Sequence, residues 1–360
     1  MSIILVDPVR TNKKMIEEMS ERNIDFNIFY TKSYGFFDKL SQDMAVKHNI
    51  TFTSSEDDLV LDDSTLFIPC TEEAVSWVDG KLGGVDRNDR SYLETTTSFP
   101  AVVKPKDSFG GGDDVHLVES QTELDNLNLD LDQYIMQPKF NGIEYEMDLV
   151  RKGDKTYCIG LFEIELDPLL FPLRKELRLI DDLDTQTTIF NFLKNKLDDL
   201  NFGDGAYNIE MIKDGNDINL LEINCRFHGH AATPWYTQGT GRSHYSAFLD
   251  VFIDNKTIPE MYTVNKHIRK VVINLPHKIS HKNLLKEFPD SLDSIVEFTI
   301  HPSPYNQVVS VTSDSVAYGP TTNVLTAYGY FMLVDNGYLT SDLTDISNWY
   351  NTIKDMPNEP

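Results

Sequence analysis

Tyr207-Asn208-Ile209-Glu210-Met211-Ile212 and Ile218-Asn219-Leu220-Leu221-Glu222-Ile223 flank the turn Asp214-Gly215-Asn216-Asp217, and the second run continues as Asn224-Cys225-Arg226. Two apolar runs about such a turn predict antiparallel strands joined as a hairpin. Strand residues alternate between faces, so Glu222, Asn224 and Arg226 share one side, and pairing about the turn can bring Glu210 to it. Two carboxylates and an amide oxygen make a hard, oxygen-only donor set suited to Mg²⁺ held jointly with phosphates. An arginine next to them can clamp a phosphate or a carboxylate through two parallel hydrogen bonds. The same residues also suit the wet face of an ordinary hairpin, where solvated charge is the default. The rest of the chain has to decide.

The chain has 360 residues, 40% hydrophobic and 11% aromatic, enough for two or three subdomains and a sizeable core. Its formal net charge of -25 argues against a nucleic-acid partner, because a phosphate backbone needs a basic surface. An anionic ligand must instead be held by a few local cations, backbone N–H groups and metal ions in a deep site. Cys70, Cys158 and Cys225 lie far apart with no CxxC pair, which fits a reducing cytoplasm. The apolar run at the start, residues 1–7, is too short for a signal peptide or a membrane span, so a soluble cytoplasmic protein with no membrane partner is expected.

Alternating strands (3–6, 26–30, 50–52, 65–69) and helices (11–21, 36–47, and one from 71 with Thr71 as N-cap) predict a small parallel α/β unit. A short apolar strand, 99–105, ends in Lys104-Pro105, and a glycine turn at 108–114 leads into a strand over 115–118. Strands follow at 134–137, at 144–150, where charged and apolar residues alternate as in a half-buried strand, and at 157–165. A helix over 185–200, with an apolar face at Ile189, Phe192, Leu193 and Leu197, precedes the hairpin. Then come a Gly/Thr/His-rich loop at 227–244, a helix over 245–252, mixed strands, and a closing helix over 347–353.

Lys104, at the end of a buried-looking strand, is either a snorkelling surface lysine or an ammonium aimed into a cleft. Gly110, Gly111 and Gly112 just beyond favour the cleft, since a glycine turn lets backbone N–H groups approach phosphates. Gln137 and Glu144 flank Pro138 to Gly142; a strand-end amide can read a purine edge and a nearby carboxylate can take ribose hydroxyls. His228 and His230 have a one-residue spacer and no third ligand at zinc spacing, so positioning a substrate carboxylate is their expected role.

In this order, Phe99-Pro100-Ala101-Val102-Val103-Lys104-Pro105 with the glycine turn, Gln137 to Glu144, Asn208-Ile209-Glu210 and Leu221-Glu222-Ile223-Asn224-Cys225-Arg226, the chain resembles the ATP-grasp carboxylate-amine ligases over residues 1 to about 335. Within that superfamily, Arg226-Phe227-His228-Gly229 and Gly239 to His244 look like the L-amino-acid ligases that make dipeptides, as a partial match. The resemblance implies an α/β fold, α+β in its catalytic part. It divides the chain into an N-terminal parallel pre-ATP-grasp domain (1–89), an ATP-grasp lid (90–152) and a catalytic subdomain with C-terminal strands (153–360). It further implies that Lys104 contacts ATP phosphates, Gly110 to Gly112 form a flap over them, Gln137 and the backbone near Phe140 read adenine, and Glu144 binds ribose. Glu210, Glu222 and Asn224 would hold Mg²⁺, with Mn²⁺ as an alternative, and Arg226 would stabilise the acyl phosphate. The family's longer connector, with its ATP-contacting lysine, is replaced here by residues 89–98, so Arg90 is the expected stand-in.

The expected activity is ATP-dependent ligation of a small carboxylate, such as an amino acid, to an amine, with release of ADP and phosphate. Arg226, His228 and Arg242 are the candidate substrate anchors, small molecules the partners, and a homodimer the family's usual state. Two alternatives stay open: a nucleotide-binding protein with weak or no catalysis, and an enzyme that modifies a peptide or protein side chain.

Overall fold

The structure is a computed structural model that describes every residue except 1, 10–11, 32–42, 44–45, 60, 63, 85, 107–113, 168–169, 230–233, 276–278, 285–287, 290–291, 301–316, 319–328 and 357–360. Most of the helix expected over 36–47, Gly110 to Gly112 and His230 therefore lie outside the described residues.

Short apolar strands β1 (Ile3–Val6), β2 (Asn27–Phe29), β3 (Phe52–Thr53) and β4 (Leu66–Pro69) form a parallel sheet in the order β3-β2-β1-β4. Parallel neighbours need crossovers, and α1 (Lys13–Glu21) supplies one while burying Met15, Ile16 and Met19. After β4, α2 (Glu72–Leu82) starts at Thr71, whose hydroxyl accepts from the Ala74 N–H at 3.1 Å, and stops at Gly83 with φ +64°.

A second, three-stranded antiparallel sheet has β5 (Ala101–Pro105) between β6 (His116–Val118) and β7 (Tyr134–Pro138), with α3 (Gln121–Leu127) leaning on it through Leu124.

The large sheet begins with β8 (Ile143–Lys152), β9 (Lys155–Leu166) and β10 (Arg174–Leu179). After α4 (Leu183–Asp199) come the hairpin strands β11 (Gly205–Asp214) and β12 (Asp217–Asn224), then α5 (Pro234–Thr240) and α6 (His244–Phe252). The chain continues through β13 (Ile268–Ile273), β14 (Ile279–Ser280), α7 (His281–Leu284), β15 (Ile295–Ile300), β16 (Ala317–Tyr318), β17 (Gly329–Val334) and α8 (Leu339–Lys354). Eight strands pair in the order β12-β11-β8-β9-β10-β13-β17-β15, and β14 pairs with β16 alone. The hairpin turn is the two residues Gly215-Asn216, with glycine at the position that needs positive φ (+56°).

Helix α4 begins at Asp182, whose carboxylate accepts from the Thr185 N–H at 2.8 Å, and buries Gln186, Ile189, Phe190, Leu193 and Leu197 at helical spacing. Each apolar side chain so buried contributes roughly 1.5–3 kcal/mol relative to exposure. Phe190 joins the stripe as a buried member, and Phe192 packs against the same core half-buried. They join one core with Met147, Leu149, Phe162, Tyr207 and Ile209 of the large sheet and with Leu5, Met15 and Ile28 of the parallel sheet.

Three expectations change. The boundary drawn at residue 152 cuts through the large sheet, because β8 pairs with both β9 and β11. The strand expected as half-buried over 144–150 is buried on both faces from Tyr145 to Val150. The loop read over 227–244 contains α5, and the closing helix starts at Leu339 rather than 347.

Candidate nucleotide and acyl-transfer site

Pairing register builds the site. On the antiparallel strands β12, β11 and β8, Glu222 faces Glu210 and Glu210 faces Glu146; in the next row Asn224 faces Asn208 and Asn208 faces Asp148. Alternation puts Glu144, Glu146 and Asp148 on the face that carries Asn208 and Glu210. Like charges in direct cross-strand register repel, so the face needs cations.

Arg174, from β10, supplies one. Its Nη1 donates to Glu146 Oε2 at 2.7 Å, and its Nη2 lies 2.7 Å from Glu210 Oε1 and 3.5 Å from Glu144 Oε1. Burial opposes ionisation of Glu210, yet Arg174 and, more weakly, Lys104 and His228 hold its carboxyl below the usual value. Burial raises Glu144 to about 7, with Glu210 and Glu146 adding repulsion against the pull of Arg174. Neither Arg174 nor Glu146 was singled out in the sequence. The signal was present in Arg174-Lys175-Glu176-Leu177-Arg178-Leu179, where Leu177 and Leu179 alternate with charge, but four charged residues in six hide a strand.

Arg90 follows Asp89, whose carboxylate accepts from the Ser91 N–H at 2.9 Å and shapes the turn. Its guanidinium pairs with Glu222 and donates to the Pro105 carbonyl at 3.2 Å. Lys104 is a half-buried residue whose Nζ donates to the Leu221 carbonyl at 2.5 Å; burial lowers its pKa, while Glu222 acts the other way. Arg90, Lys104, Glu222 and Glu210 thus gather where the small sheet meets the hairpin.

The hairpin has a bulge: Glu210 pairs with Glu222 and Met211 with Leu220, leaving Leu221 without a partner on β11. Strand β12 is also an edge of its sheet. Side chains from residues 92–137 cover that edge, with Gln137 Nε2 donating to the Leu220 carbonyl at 3.2 Å, Lys104 to Leu221, and the Tyr92 hydroxyl accepting from the Ile223 N–H at 2.9 Å. Gln137 is 1% exposed and its amide N–H is engaged with this backbone, while Phe140 stands half-buried in the connection to β8.

Arg226 leaves the end of β12 and meets α2. Its Nε and Nη2 lie 2.8 and 2.5 Å from Glu72 Oε1, and its Nη1 donates to the Phe227 carbonyl at 3.0 Å. Burial works against its charge, but Glu72, Glu222 and Glu210 outweigh it and raise its pKa. Beside this pair a cleft of about 940 Å³, lined by Glu72, Glu73, Asn88, Arg90, Lys106 and Ile135 among others, runs between α2 and the small sheet.

Two expected anchors fall elsewhere. His228 is 7% exposed and stands between buried carboxylates, 3.1 Å from Glu146 Oε1 and 3.3 Å from Asp148 Oδ2, so it is not placed to take a third carboxylate from a substrate. Arg242 faces Asp250 at 3.7 Å, and Asp250 is shared with Arg22 and Lys256. It does not join the Glu210 group. No trio of His, Cys, Asp and Glu arranged to bind a metal occurs among the described residues. The expected Mg²⁺ set uses an amide as its third donor and passes on chemistry: Glu210 and Glu222 are opposed in register, and each is paired with an arginine that an incoming cation would relieve.

No family model matches the chain, and no curated protein matches it. Solved structures do. An L-amino acid ligase from Bacillus licheniformis aligns over 100% of this chain and 99% of its own length, with 11% identity and a TM-score of 0.62. N5-carboxyaminoimidazole synthetase from Staphylococcus aureus, complexed with ADP, aligns over 98% of each chain with 11% identity and a TM-score of 0.61. Phosphoribosylglycinamide synthetase from Anaerococcus prevotii covers 96% of this chain and 98% of its own, with 12% identity and a TM-score of 0.58. With full-length alignment at these scores, a parallel N-terminal sheet, a small antiparallel sheet and a large sheet carrying the acidic hairpin, this chain has the ATP-grasp fold.

Proposed function

We propose that the protein is a cytoplasmic, ATP-dependent carboxylate-amine ligase that activates an amino acid or a similar small acid as an acyl phosphate and joins it to an amine, a peptide bond being the expected product. One observation carries this reading: Glu210 and Glu222 lie opposed in register, with Arg90, Lys104 and Arg174 around them, where the small sheet meets the hairpin. Three buried free cysteines fit the compartment. Among the described residues no helix is long and apolar enough to cross a membrane.

A carboxylate is a poor electrophile. Its oxygen attacks the γ-phosphorus, ADP leaves, the amine opens the acyl phosphate at carbon, and phosphate departs as the amine loses a proton. Lys104 and Arg90 would meet phosphate oxygens, and Arg226 would take the acyl phosphate in exchange for Glu72. Mg²⁺ would be held by Glu210, Glu222 and Asn224, where it supplies charge neutralisation at the phosphates. The cleft beside Glu72 has room for the acid and amine.

Phosphate release from ATP, screened over pairs of amino acids, tests the activity. Glu222→Gln should lower turnover by about 10²- to 10³-fold with an unchanged thermal melt, as loss of one preorganised electrostatic group does. ADP release at the wild-type rate would remove the metal assignment.

A further inference from the structure

His228 is the last link of a chain of contacts that reaches a proposed metal ligand. From Asp148 Oδ2 to His228 Nδ1 is 3.3 Å, and from His228 Nε2 to Glu146 Oε1 is 3.1 Å. Glu146 Oε2 takes Arg174 Nη1 at 2.7 Å, and Arg174 Nη2 reaches Glu210 at 2.7 Å. Glu146 and Asp148 are both 0% exposed. A buried carboxylate without a counter-charge is strongly destabilising, so each must be balanced within this group.

The balance is tight. Asp148 also accepts from Asn208 Nδ2 at 2.9 Å and from the Tyr236 hydroxyl at 2.7 Å, and His244 Nδ1 lies 3.7 Å away. Tyr236 reaches it only because β9 has Gly160 in register with Asp148; a Cβ there would lie 2.5 Å from the Tyr236 oxygen. His244 spends Nε2 on the Leu149 carbonyl at 2.8 Å, and its pKa is lowered, chiefly by burial. Arg174 serves Glu146 together with Glu210 and Glu144. His228 stands within ion-pair distance of both Glu146 and Asp148. Among the described residues, the charged groups that act on it include Glu146 and Asp148 from β8, Glu210 from β11, His244 from α6, and Lys270 from β13, which opposes its charge. Burial also opposes that charge, yet the two carboxylates raise the pKa of His228 above its ordinary value.

We propose that His228 is a positioning residue that, clamped as an imidazolium between the buried Glu146 and Asp148, sets the Arg174 guanidinium against Glu210 and so holds the metal-binding face of the hairpin in its working geometry. When His228 loses its proton, Glu146 leans more heavily on Arg174 and draws it from Glu210. A neutral residue at 228 does the same permanently. The role rests on the ligase reading for its catalytic consequence, but not for its structural one.

Nitrogen-15 NMR of the histidine and arginine side chains in the full chain tests both. The resonance missing from His228→Gln should titrate with a midpoint above the ordinary ~6.5. That midpoint should fall in Glu146→Gln, and the guanidinium resonances of Arg174, assigned with Arg174→Lys, should shift with it. In the ligation assay His228→Gln should lower kcat by up to about 10²-fold, as small misplacements near the reacting groups do, and remove the alkaline limb that matches this midpoint. His228→Asn takes its place if the glutamine variant does not fold. A His228 midpoint at or below ~6.5, Arg174 resonances indifferent to it, or a wild-type pH profile in the variant would overturn the proposal. If no acid and amine pair releases phosphate in the wild type, the ligase reading fails, and the NMR titration alone decides whether His228 sets Arg174.

Discussion

Gly142 stands where the chain enters β8, at φ +119°, and a Cβ built on it would lie 2.4 Å from the carbonyl oxygen of Lys213 on β11. Both facts exclude a side chain. Gly142→Ala should destabilise the protein by about 1–3 kcal/mol, read as a lower urea midpoint, because the strained backbone and the close neighbour cannot both relax. The Asp148 pocket makes a sharper test of coupling. Tyr236→Phe removes a donor from a buried carboxylate, and Gly160→Ala pushes the same hydroxyl away, so each should cost about 1–3 kcal/mol and the double variant less than the sum. These residues also mark the limit of reading by pattern. Alternation in Glu144-Tyr145-Glu146-Met147-Asp148 put the acids on one face, and so they are, but the wet face is the default for charge and this one is interior. What reverses the inference is Arg174 and His228, which arrive from distant segments of the chain.

Among the elements, the hairpin was legible because its turn chemistry and its two apolar runs agree, and β11 and β12 form where expected. The Thr71 cap was legible for the same reason, a local hydrogen bond to Ala74. Strand β10 was not, since its pairing with β13 is non-local and its sequence is mostly charge. Helix α8 begins before the apolar stripe is dense; Asp342, in its first turn, is 4% exposed and takes the Ser294 N–H at 2.6 Å, a partner 48 residues away. Local signals set ends more weakly than packing does. At α4 they are enough to predict a number: Asp182→Ala should lower stability by about 1 kcal/mol, seen in a thermal melt, because it orphans the Thr185 N–H.

For the whole molecule, the parallel sheet was readable from its alternation of strand and helix, whereas the reach of the large sheet back to residue 143 was not, because strand order is fixed by pairing partners far along the chain. Stability against acid belongs to this scale too. Burial works to raise Asp148, but His228 and His244 hold it to about 2, below the usual 3.8. A carboxyl lowered on folding stabilises above its unfolded value and loses that contribution as pH falls through the folded one. Between roughly pH 4 and 2 it should lose about 2 kcal/mol, and Asp148→Asn, already weaker at neutral pH, should show a flatter decline of the urea midpoint over that window. His228 runs the other way: raised on folding, it stabilises below ~6.5 and gives that up as pH climbs through its folded value. One last consequence lies in β12. Its outer carbonyls at Leu220 and Leu221 and its Ile223 amide are covered by three side chains, Gln137, Lys104 and Tyr92, and, among the described residues, by no neighbouring strand. Take those away together and the naked rim becomes a template on which a strand of another molecule can add, so a Tyr92→Phe/Lys104→Met/Gln137→Leu triple variant should show its defect first as concentration-dependent self-association in light scattering.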